Sequence, residues 1–176
     1  TDLSKKGSGN LGTTNALRVL GFKAGAVTFI GDILKGVVSF IIARWLFPDM
    51  GILAGIYACA GTILGHDFPF YLHFKGGKGI AATIGLVLCI GFTESMPLML
   101  ISFIIGIVAV AMSGYISLGS MLFSIAIPVC AFFFQLPLEG ALVLTALTIL
   151  ALWKHRANIG RLRAGNENKF TLTKKV

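Results

Sequence analysis

The sequence predicts an all-α fold, a polytopic bundle of transmembrane helices that forms a single integral membrane domain over residues 1–176. Three observations predict it. The chain is 56% hydrophobic and only 12% charged, with a mean hydropathy of +0.87, whereas soluble domains carry about a quarter charged residues. Apolar segments recur along the whole chain, and basic residues collect in alternate loops. A soluble helical protein with a large core is disfavoured because almost no polar face is left for water.

Six apolar segments, one of them weaker, are predicted to be spans. They run over residues 25–47, 51–64, 80–92, 97–112, 116–134 and 138–153. A full span takes about 20 apolar residues, so the second and third segments fall short. These two must borrow loop residues, tilt little or stop partway through the bilayer. Cys59, Cys89 and Cys130 each lie inside an apolar segment, and we expect buried apolar residues there, not disulfides or metal ligands.

The charge distribution predicts the topology. Of the 15 basic residues, 13 lie in the N-terminal stretch, in the loop around Lys78 or in the C-terminal tail. The intervening turns hold the acidic residues Asp49, Glu94 and Glu139. The positive-inside rule therefore places the three basic regions in the cytoplasm. Asp32 and Lys35 lie three residues apart inside the first segment, so they share a helix face and are expected to form a neutralised structural pair in the bundle interior.

A first polar cluster, GSGNLGTTN, covers residues 7–15 and matches G-x-G-x-x-G. A dinucleotide site is excluded because that fingerprint needs a preceding strand and a βαβ unit, and only six residues precede Gly7. The glycines could still let backbone N–H groups converge on an anion. Thr13 or Thr14 is expected to cap a short helix that carries Asn15 and Arg18 and ends at residue 21. A flexible turn explains this stretch equally well.

A second cluster, GHDFPFYLHFKGGKGIAAT, covers residues 65–83. Its GGKG looks like the end of a phosphate-binding P-loop, but Leu72 occupies the position of the first glycine and Gly79 replaces the magnesium-binding Ser or Thr. Lys78 remains a candidate phosphate ligand among glycines. His66 and His73 are interpreted as interfacial anchors without a catalytic role.

A third cluster, HRANIGRLRAGNE, covers residues 155–167. His155 and Asn158 are neighbours on one face if the last span continues as a helix. Glu167 is the only acidic residue of the tail. The arginines at positions 156, 161 and 163 are interpreted as topology anchors and contacts to anionic lipid.

Together the three clusters resemble the bacterial acyl-phosphate:glycerol-3-phosphate acyltransferases, small integral membrane enzymes of phospholipid synthesis. The resemblance covers essentially the whole chain, with the motifs in order. It implies seven spans with an outside N-terminus, so a chain with six is expected to lack its first transmembrane helix. A six-span protein is the alternative.

The resemblance also implies the chemistry. An acyl group would pass from acyl phosphate to the 1-hydroxyl of glycerol 3-phosphate, giving lysophosphatidic acid and phosphate. The donor is an activated mixed anhydride, so no metal, cofactor or strong nucleophile is expected, and positioning with electrostatic stabilisation could supply most of the rate. An oxygen of the donor phosphate is favoured as the general base, with His155 as the other candidate.

The resemblance assigns residue roles as follows. The acyl-phosphate head would be held by Ser8, Gly9, Asn10, Thr14 and Asn15, with His155 and Asn158. Glycerol 3-phosphate would be bound by Arg18 and Lys78, on whose loop Gly76 and Gly77 also lie. The candidate catalytic residues are Ser8, His155, Asn158 and Glu167, the last of which would orient the site.

Other classes of function remain open at this point. A small transporter or channel for an anionic solute would need ionisable residues along a path through the spans, where only Asp32 and Lys35 qualify. A lipid-binding scaffold leaves the glycine-rich loops unexplained, and an acyl-CoA enzyme would differ only in its donor. The expected partners are acyl phosphate, glycerol 3-phosphate and membrane lipids, with no nucleic acid. We expect a monomer in the bacterial inner membrane with its active site on the cytoplasmic face.

Overall fold

The computed structural model describes residues 3–170, except the side chain of Ser4, and all regular structure in that range is helical. The α-helices are α1 (Thr13–Leu20), α2 (Phe22–Leu46), α3 (Ile52–Asp67), α4 (Ile80–Thr93), α5 (Met96–Ser113), α6 (Ile116–Phe133), α7 (Leu138–Lys154) and α8 (Arg156–Arg163). The all-α prediction is confirmed. Each of the six predicted segments coincides with one of the helices α2 to α7, with bounds that differ by three residues at most.

The helices differ in whether they are long enough to cross a bilayer. By length and composition, α2, α5 and α6 each qualify as a membrane span, and α7 with α8 qualifies only as a pair bent by 54°. Helix α4 is apolar but has 14 residues, which at 1.5 Å per residue is about 21 Å. The six helices of the predicted spans are therefore present, and three or four of them meet the length for spanning.

Proline and glycine residues set the helix boundaries. Helix α2 ends before Pro48, and Gly51 adopts a φ of 54° just before α3 begins. Ser95 caps α5, since its hydroxyl accepts a hydrogen bond from the N–H of Leu98 at 3.4 Å. Helix α5 ends at Gly114 in the left-handed conformation that glycine tolerates best. These signals could be read from the sequence, and they explain why the predicted bounds hold.

Among the described residues, 3–94 form one compact unit and 95–170 form a second. In the first unit, α2 packs against α1, α3 and α4. Gly36 permits the close approach of α2 and α4, because a Cβ there would lie 2.6 Å from the carbonyl oxygen of Ala82. Cys59 is buried and free, and its Sγ donates to the carbonyl oxygen of Gly36 at 3.1 Å. The sequence correctly predicted a buried cysteine without a disulfide here.

The second unit is built around α6, which packs against both α5 and α7. A buried hydrogen bond joins two of these helices, from the hydroxyl of Thr148 to the carbonyl oxygen of Ser124 at 2.8 Å. Small residues again allow close contact, since a Cβ at Gly119 would lie 2.6 Å from the carbonyl oxygen of Gly106. Small residues and polar contacts of this kind are typical of helix packing in membranes.

Large apolar side chains cover the outer surface of the long helices. Ile107 and Met112 on α5 are 65% and 84% exposed, and Val27 on α2 is 72% exposed. A continuous exposed apolar surface is unfavourable in water and favourable against lipid tails. The outer surface therefore has the character of an integral membrane protein.

Candidate functional site

The side chain of Asn15 holds the glycine-rich loop before α1. It is 2% exposed, and its Oδ1 accepts a hydrogen bond from the N–H of Ser8 at 2.9 Å. Its Nδ2 donates to the carbonyl oxygens of Lys6 and Leu3 at 3.0 and 3.2 Å. Gly7 stands beside it with a φ of 62°, and a Cβ there would overlap the Asn15 Oδ1. The shape of this loop therefore depends on Asn15 and on glycine at position 7.

Helix α1 begins at a glycine rather than at a threonine side chain. Its N-cap is Gly12 without a side-chain hydrogen bond at the cap, so the prediction of a cap by Thr13 or Thr14 was wrong. The Oδ1 of Asn10 instead accepts from the N–H of Gly12 at 2.9 Å. An asparagine that closes its own local turn competes well with a threonine cap, because it can fix the backbone just before the helix.

The exposed face of α1 presents a hydroxyl and a cation together. Thr14 and Arg18 are both exposed, and their spacing of four residues puts them on one side of the helix. Ser8 and Gly9 of the preceding loop are exposed as well. The predicted ligand residues of the first cluster, other than Asn15 and Asn10, are thus accessible to a solute.

Several amides that were expected to form an anion nest are used inside the loop. The N–H of Gly9 donates to the carbonyl oxygen of Lys6 at 3.1 Å, and the N–H of Ser8 donates to Asn15. In this conformation these donors serve the fold of the loop. Phosphate binding by the amide of Gly9 stays a prediction.

The second glycine cluster is docked on the end of α3. The N–H groups of Gly76 and Gly77 donate to the carbonyl oxygens of Asp67 and His66 at 3.2 and 3.1 Å. Carbonyl groups in the last turn of a helix lack an intrahelical partner, so the loop satisfies them. The imidazole of His66 lies against Gly77, where it occupies the place of a Cβ. Only glycine fits at this position without displacing the ring.

A cleft of about 390 Å³ lies in the first unit and is lined by residues of both glycine clusters. Leu11 comes from the first cluster, and Gly76 and Gly77 come from the second. Residues of these two sequence clusters therefore line the same cleft. Lys78 follows Gly77 directly and is partly buried. The lining also includes Lys35, which the sequence placed in the interior of the first span.

In the second unit Glu167 is the centre of a polar network. Its side chain is 7% exposed. Its Oε1 accepts hydrogen bonds from Asn158 Nδ2 at 2.9 Å and from the Ser117 hydroxyl at 3.2 Å, and its Oε2 accepts from Arg161 Nε at 2.7 Å. These contacts hold the side chains of Asn158 and Glu167 together, and the orienting role of Glu167 stays a prediction. Arg161, interpreted from the sequence as a topology anchor, belongs to the same network.

Ser117 is a residue that the sequence reasoning missed. It is buried in the first turn of α6 and bonds to Glu167 across 50 residues of sequence. The tail is also attached nearby, since the N–H of Phe170 donates to the carbonyl oxygen of Gly114 at 2.8 Å. The only available signal was a pair of small polar residues at the start of an apolar helix. That pattern is too common in membrane helices to identify a site.

His155 lies at the junction of α7 and α8. The prediction that His155 and Asn158 share a helix face assumed that the last span continues straight through His155. Instead, α7 and α8 meet there at a bend of 54°. His155 and Asn158 are nevertheless both buried, at 3% and 6% exposure. The His155 Nδ1 lies 2.7 Å from the carbonyl oxygen of Ala151, so Nδ1 carries the proton and Nε2 is the acceptor of the neutral ring.

The part of the chain from residue 3 to residue 170 contains no group of three or more His, Cys, Asp or Glu side chains placed to hold a metal ion. Besides His155 and Glu167, whose carboxylate is paired with Arg161, the polar groups that gather are asparagines, hydroxyls, glycine backbone and fixed cations. Such groups suit an anionic ligand. The fold and the site thus define an integral membrane protein whose polar loops are suited to phosphate-bearing molecules.

Comparison with known proteins identifies the family. The profile of the family described as glycerol-3-phosphate acyltransferase matches residues 1–165. A glycerol-3-phosphate acyltransferase of Shouchella clausii is 42% identical over 96% of this chain and 82% of its own length.

Solved structures agree with the sequence match. PlsY (YgiH), an integral membrane glycerol 3-phosphate acyltransferase, matches in its glycerol 3-phosphate form with a TM-score of 0.87 and 33% identity, over 97% of this chain and 83% of that one. Its lysophosphatidic acid form matches with a TM-score of 0.82 and 33% identity, over 94% of this chain and 82% of that one. The chain belongs to the glycerol-3-phosphate acyltransferase family, which confirms the resemblance and removes the support for a transporter or a scaffold.

Proposed function

We propose that the protein transfers an acyl group from acyl phosphate to the 1-hydroxyl of glycerol 3-phosphate, giving lysophosphatidic acid and free phosphate. The observation that carries this proposal is the match to a membrane enzyme crystallised in a glycerol 3-phosphate form and in a lysophosphatidic acid form. Acyl phosphate is the proposed donor because both substrates then carry phosphate. The proposed site residues include hydroxyls, amide groups and cations, which can bind phosphate.

The reaction needs little covalent chemistry from the protein. The 1-hydroxyl oxygen attacks the acyl carbonyl carbon, the bond between that carbon and the bridging oxygen breaks, and phosphate leaves with the electron pair. The hydroxyl proton passes to a base, for which an oxygen of the donor phosphate is the favoured candidate. His155 is the second candidate. Its Nδ1 donates to the carbonyl oxygen of Ala151, so the Nε2 of the neutral ring can accept the proton.

Each unit contributes a separate set of proposed ligands. In the first unit, Arg18 and Lys78 bind the phosphate of glycerol 3-phosphate, and Ser8 with Thr14 provides hydroxyls for the acyl-phosphate head. Asn10 and Asn15 shape this loop through their hydrogen bonds to its backbone, so Asn15 supports the binding of that head through the loop and not as a direct ligand. Gly9 completes the binding of that head. Arg18 is exposed on α1 and Lys78 follows the docked glycines, so both cations have a fixed backbone support.

In the second unit, His155 and Asn158 are the proposed ligands of the acyl-phosphate head. Glu167 orients Asn158 through the hydrogen bond at 2.9 Å. Fixed dipoles and charges lower the barrier most when they are positioned before the reaction begins. The three bonds to Glu167 provide such positioning.

The donor assignment is tested with purified protein and two donors that carry the same acyl chain. We expect lysophosphatidic acid from acyl phosphate and none above background from acyl-CoA. No segment of the sequence shows a recognisable adenine pocket or 3′-phosphate clamp. Comparable turnover with acyl-CoA would contradict the donor assignment while leaving the acceptor assignment in place.

The proposed location is the bacterial inner membrane, with the site on the cytoplasmic face. Basic residues are concentrated in alternate loops, and the positive-inside rule places such loops in the cytoplasm. Single cysteines introduced near Lys78 or Lys169 into a cysteine-free background should be protected from an impermeant reagent in intact cells. Cysteines near Asp49 or Glu139 should react. Labelling near Lys78 from outside would overturn this topology.

A further inference from the structure

The ion pair inside the first span does not stand alone. Lys35 Nζ lies 2.8 Å from Asp32 Oδ1, as the sequence predicted for a neutralised pair. The same Nζ lies 2.5 Å from Nδ1 of His66, a residue 31 positions further along the chain on α3. Asp32 Oδ1 is also 3.4 Å from that nitrogen. The pair in α2 therefore belongs to a cluster of three residues, Asp32, Lys35 and His66.

The His66 ring bridges two parts of the first unit. Its Nδ1 lies 2.5 Å from the Lys35 Nζ. The opposite edge of the ring, which carries Nε2, lies against Gly77. The imidazole thus connects Lys35 of α2 with the backbone of the glycine-rich loop.

The backbone of the glycine-rich loop is also hydrogen-bonded to His66 and to its neighbour Asp67. The carbonyl oxygens of His66 and Asp67 accept the N–H groups of Gly77 and Gly76. A shift of His66 would therefore move the backbone hydrogen bonds and the packing surface of the loop together. Lys78 is the next residue after Gly77, so any such shift is transmitted to its backbone.

We propose that Asp32, Lys35 and His66 are positioning residues, which act through Gly76 and Gly77 to place Lys78 for the phosphate of glycerol 3-phosphate. The inference rests on the proposed role of Lys78 in holding that phosphate. It differs from a purely structural role because it predicts a defect in one substrate only. It also explains why an ion pair with partly buried side chains, costly in a span, is placed at this depth.

Two variants break the connection in different ways. Asp32→Asn with Lys35→Met removes both charges together, which avoids an uncompensated charge in the membrane. His66→Gln leaves the ion pair of α2 intact and removes the ring from between Lys35 and Gly77. Displacement of a binding group by about 1 Å costs up to about 100-fold. We expect each variant to raise the KM for glycerol 3-phosphate by about 10- to 100-fold, with the KM for acyl phosphate changed by less than about twofold.

Three further comparisons separate positioning from a general loss of structure. Lys35→Arg keeps a cation that donates to both partners and should restore most of the use of glycerol 3-phosphate. The triple variant of Asp32, Lys35 and His66 should be no worse than the poorer of its two parents, because residues that act as one unit are not additive. The matched control removes the other ion pair of α2, Arg44 with Glu94 at 3.1 Å, by Arg44→Met with Glu94→Gln, and should change neither KM.

Amide hydrogen exchange of residues 74–79 provides a readout that needs no turnover. We expect faster exchange there in both variants and wild-type exchange in the Arg44 and Glu94 control. An unchanged KM for glycerol 3-phosphate together with unchanged exchange would overturn the inference, and so would an equal rise in both KM values. A wild-type protein that makes no lysophosphatidic acid would overturn the proposed function, and the exchange comparison would still decide whether the cluster holds the loop.

Discussion

Asn15→Asp tests whether the first glycine loop is held by the side chain that the structure assigns to it. The substitution keeps the size and shape of the side chain, and one oxygen can still accept from the N–H of Ser8. The second oxygen replaces the Nδ2 that donates to Lys6 and Leu3 at 3.0 and 3.2 Å. Two hydrogen bonds become two contacts between oxygen atoms. The loop should lose its closed form without any change in side-chain volume.

The size of the effect follows from those two bonds. Each is worth about 1 kcal/mol net, and the carbonyl groups are left facing an acceptor, so the total is about 2 kcal/mol or more. That corresponds to about 30-fold in the population of the closed loop. We expect the amide of Ser8 to exchange about 30-fold faster with solvent, since its protection depends on local opening. The kcat/KM values for both substrates should fall by a similar factor.

The assay combines hydrogen exchange with steady-state kinetics on purified protein. Asn168→Asp serves as the control, because it makes the same change at an exposed position of the tail. If Asn15 were only a direct ligand, the added negative charge would weaken phosphate binding while exchange at Ser8 stayed at the wild-type rate. Unchanged exchange would therefore refute the holding role.

Three further predictions concern the other polar loops. Glu167→Gln places an amide opposite Arg161 Nε and should lower kcat by about 10-fold. This factor is at the lower end of the range for loss of a charge-assisted hydrogen bond, because the arginine is partly exposed. The control Glu139→Gln should have no effect on kcat in the same assay. Gly77→Ala inserts a methyl group into the space of the His66 ring and should impair the use of glycerol 3-phosphate, and normal kinetics with a normal melting temperature would contradict the docking. Arg18→Lys should lower kcat/KM for glycerol 3-phosphate by about 10-fold or more, since the variant keeps the charge but loses the planar guanidinium. Lys78→Ala should lower the same quantity further. Near-wild-type kinetics of Lys78→Ala would rule out the role of Lys78 as a phosphate ligand.

The helices could be predicted closely because their signals are local. Apolar runs bounded by Gly and Pro placed six helices, and the ends of α5 follow from Ser95 and Gly114. The Asp32 and Lys35 pair was equally local, since its three-residue spacing is set by the geometry of one helix. Signals of this kind survive in a single sequence.

The contacts that shape the site could not be predicted because they join distant segments. Nothing near Lys35 in the sequence indicates His66, and nothing near Glu167 indicates Ser117. The role of Asn15 was also hidden, because an asparagine in a glycine-rich stretch can bind a ligand or its own backbone with equal ease. Only the folded loop shows that its amide is occupied by Ser8, Lys6 and Leu3.

The bend at His155 shows a limit of periodicity arguments. Residues 155 and 158 have the spacing of helix neighbours, and the sequence between them contains no proline. The chain nevertheless changes direction there by 54°. His155 is the C-cap residue of α7, and its ring contacts the carbonyl oxygen of Ala151 in the last turn. Such a cap leaves no signal in the hydrophobic pattern of the sequence.

In the proposed reaction the acyl group passes directly from acyl phosphate to glycerol 3-phosphate, without an acylated form of the protein. The most direct measurement is a single reaction of purified protein with both substrates, followed by ³¹P NMR and mass spectrometry of the products. We predict one lysophosphatidic acid, acylated at the 1-hydroxyl, and one inorganic phosphate for each acyl phosphate consumed, with no acylated protein at any time. Phosphate release without lysophosphatidic acid, or an acylated form of the protein that is consumed on addition of glycerol 3-phosphate, would contradict it.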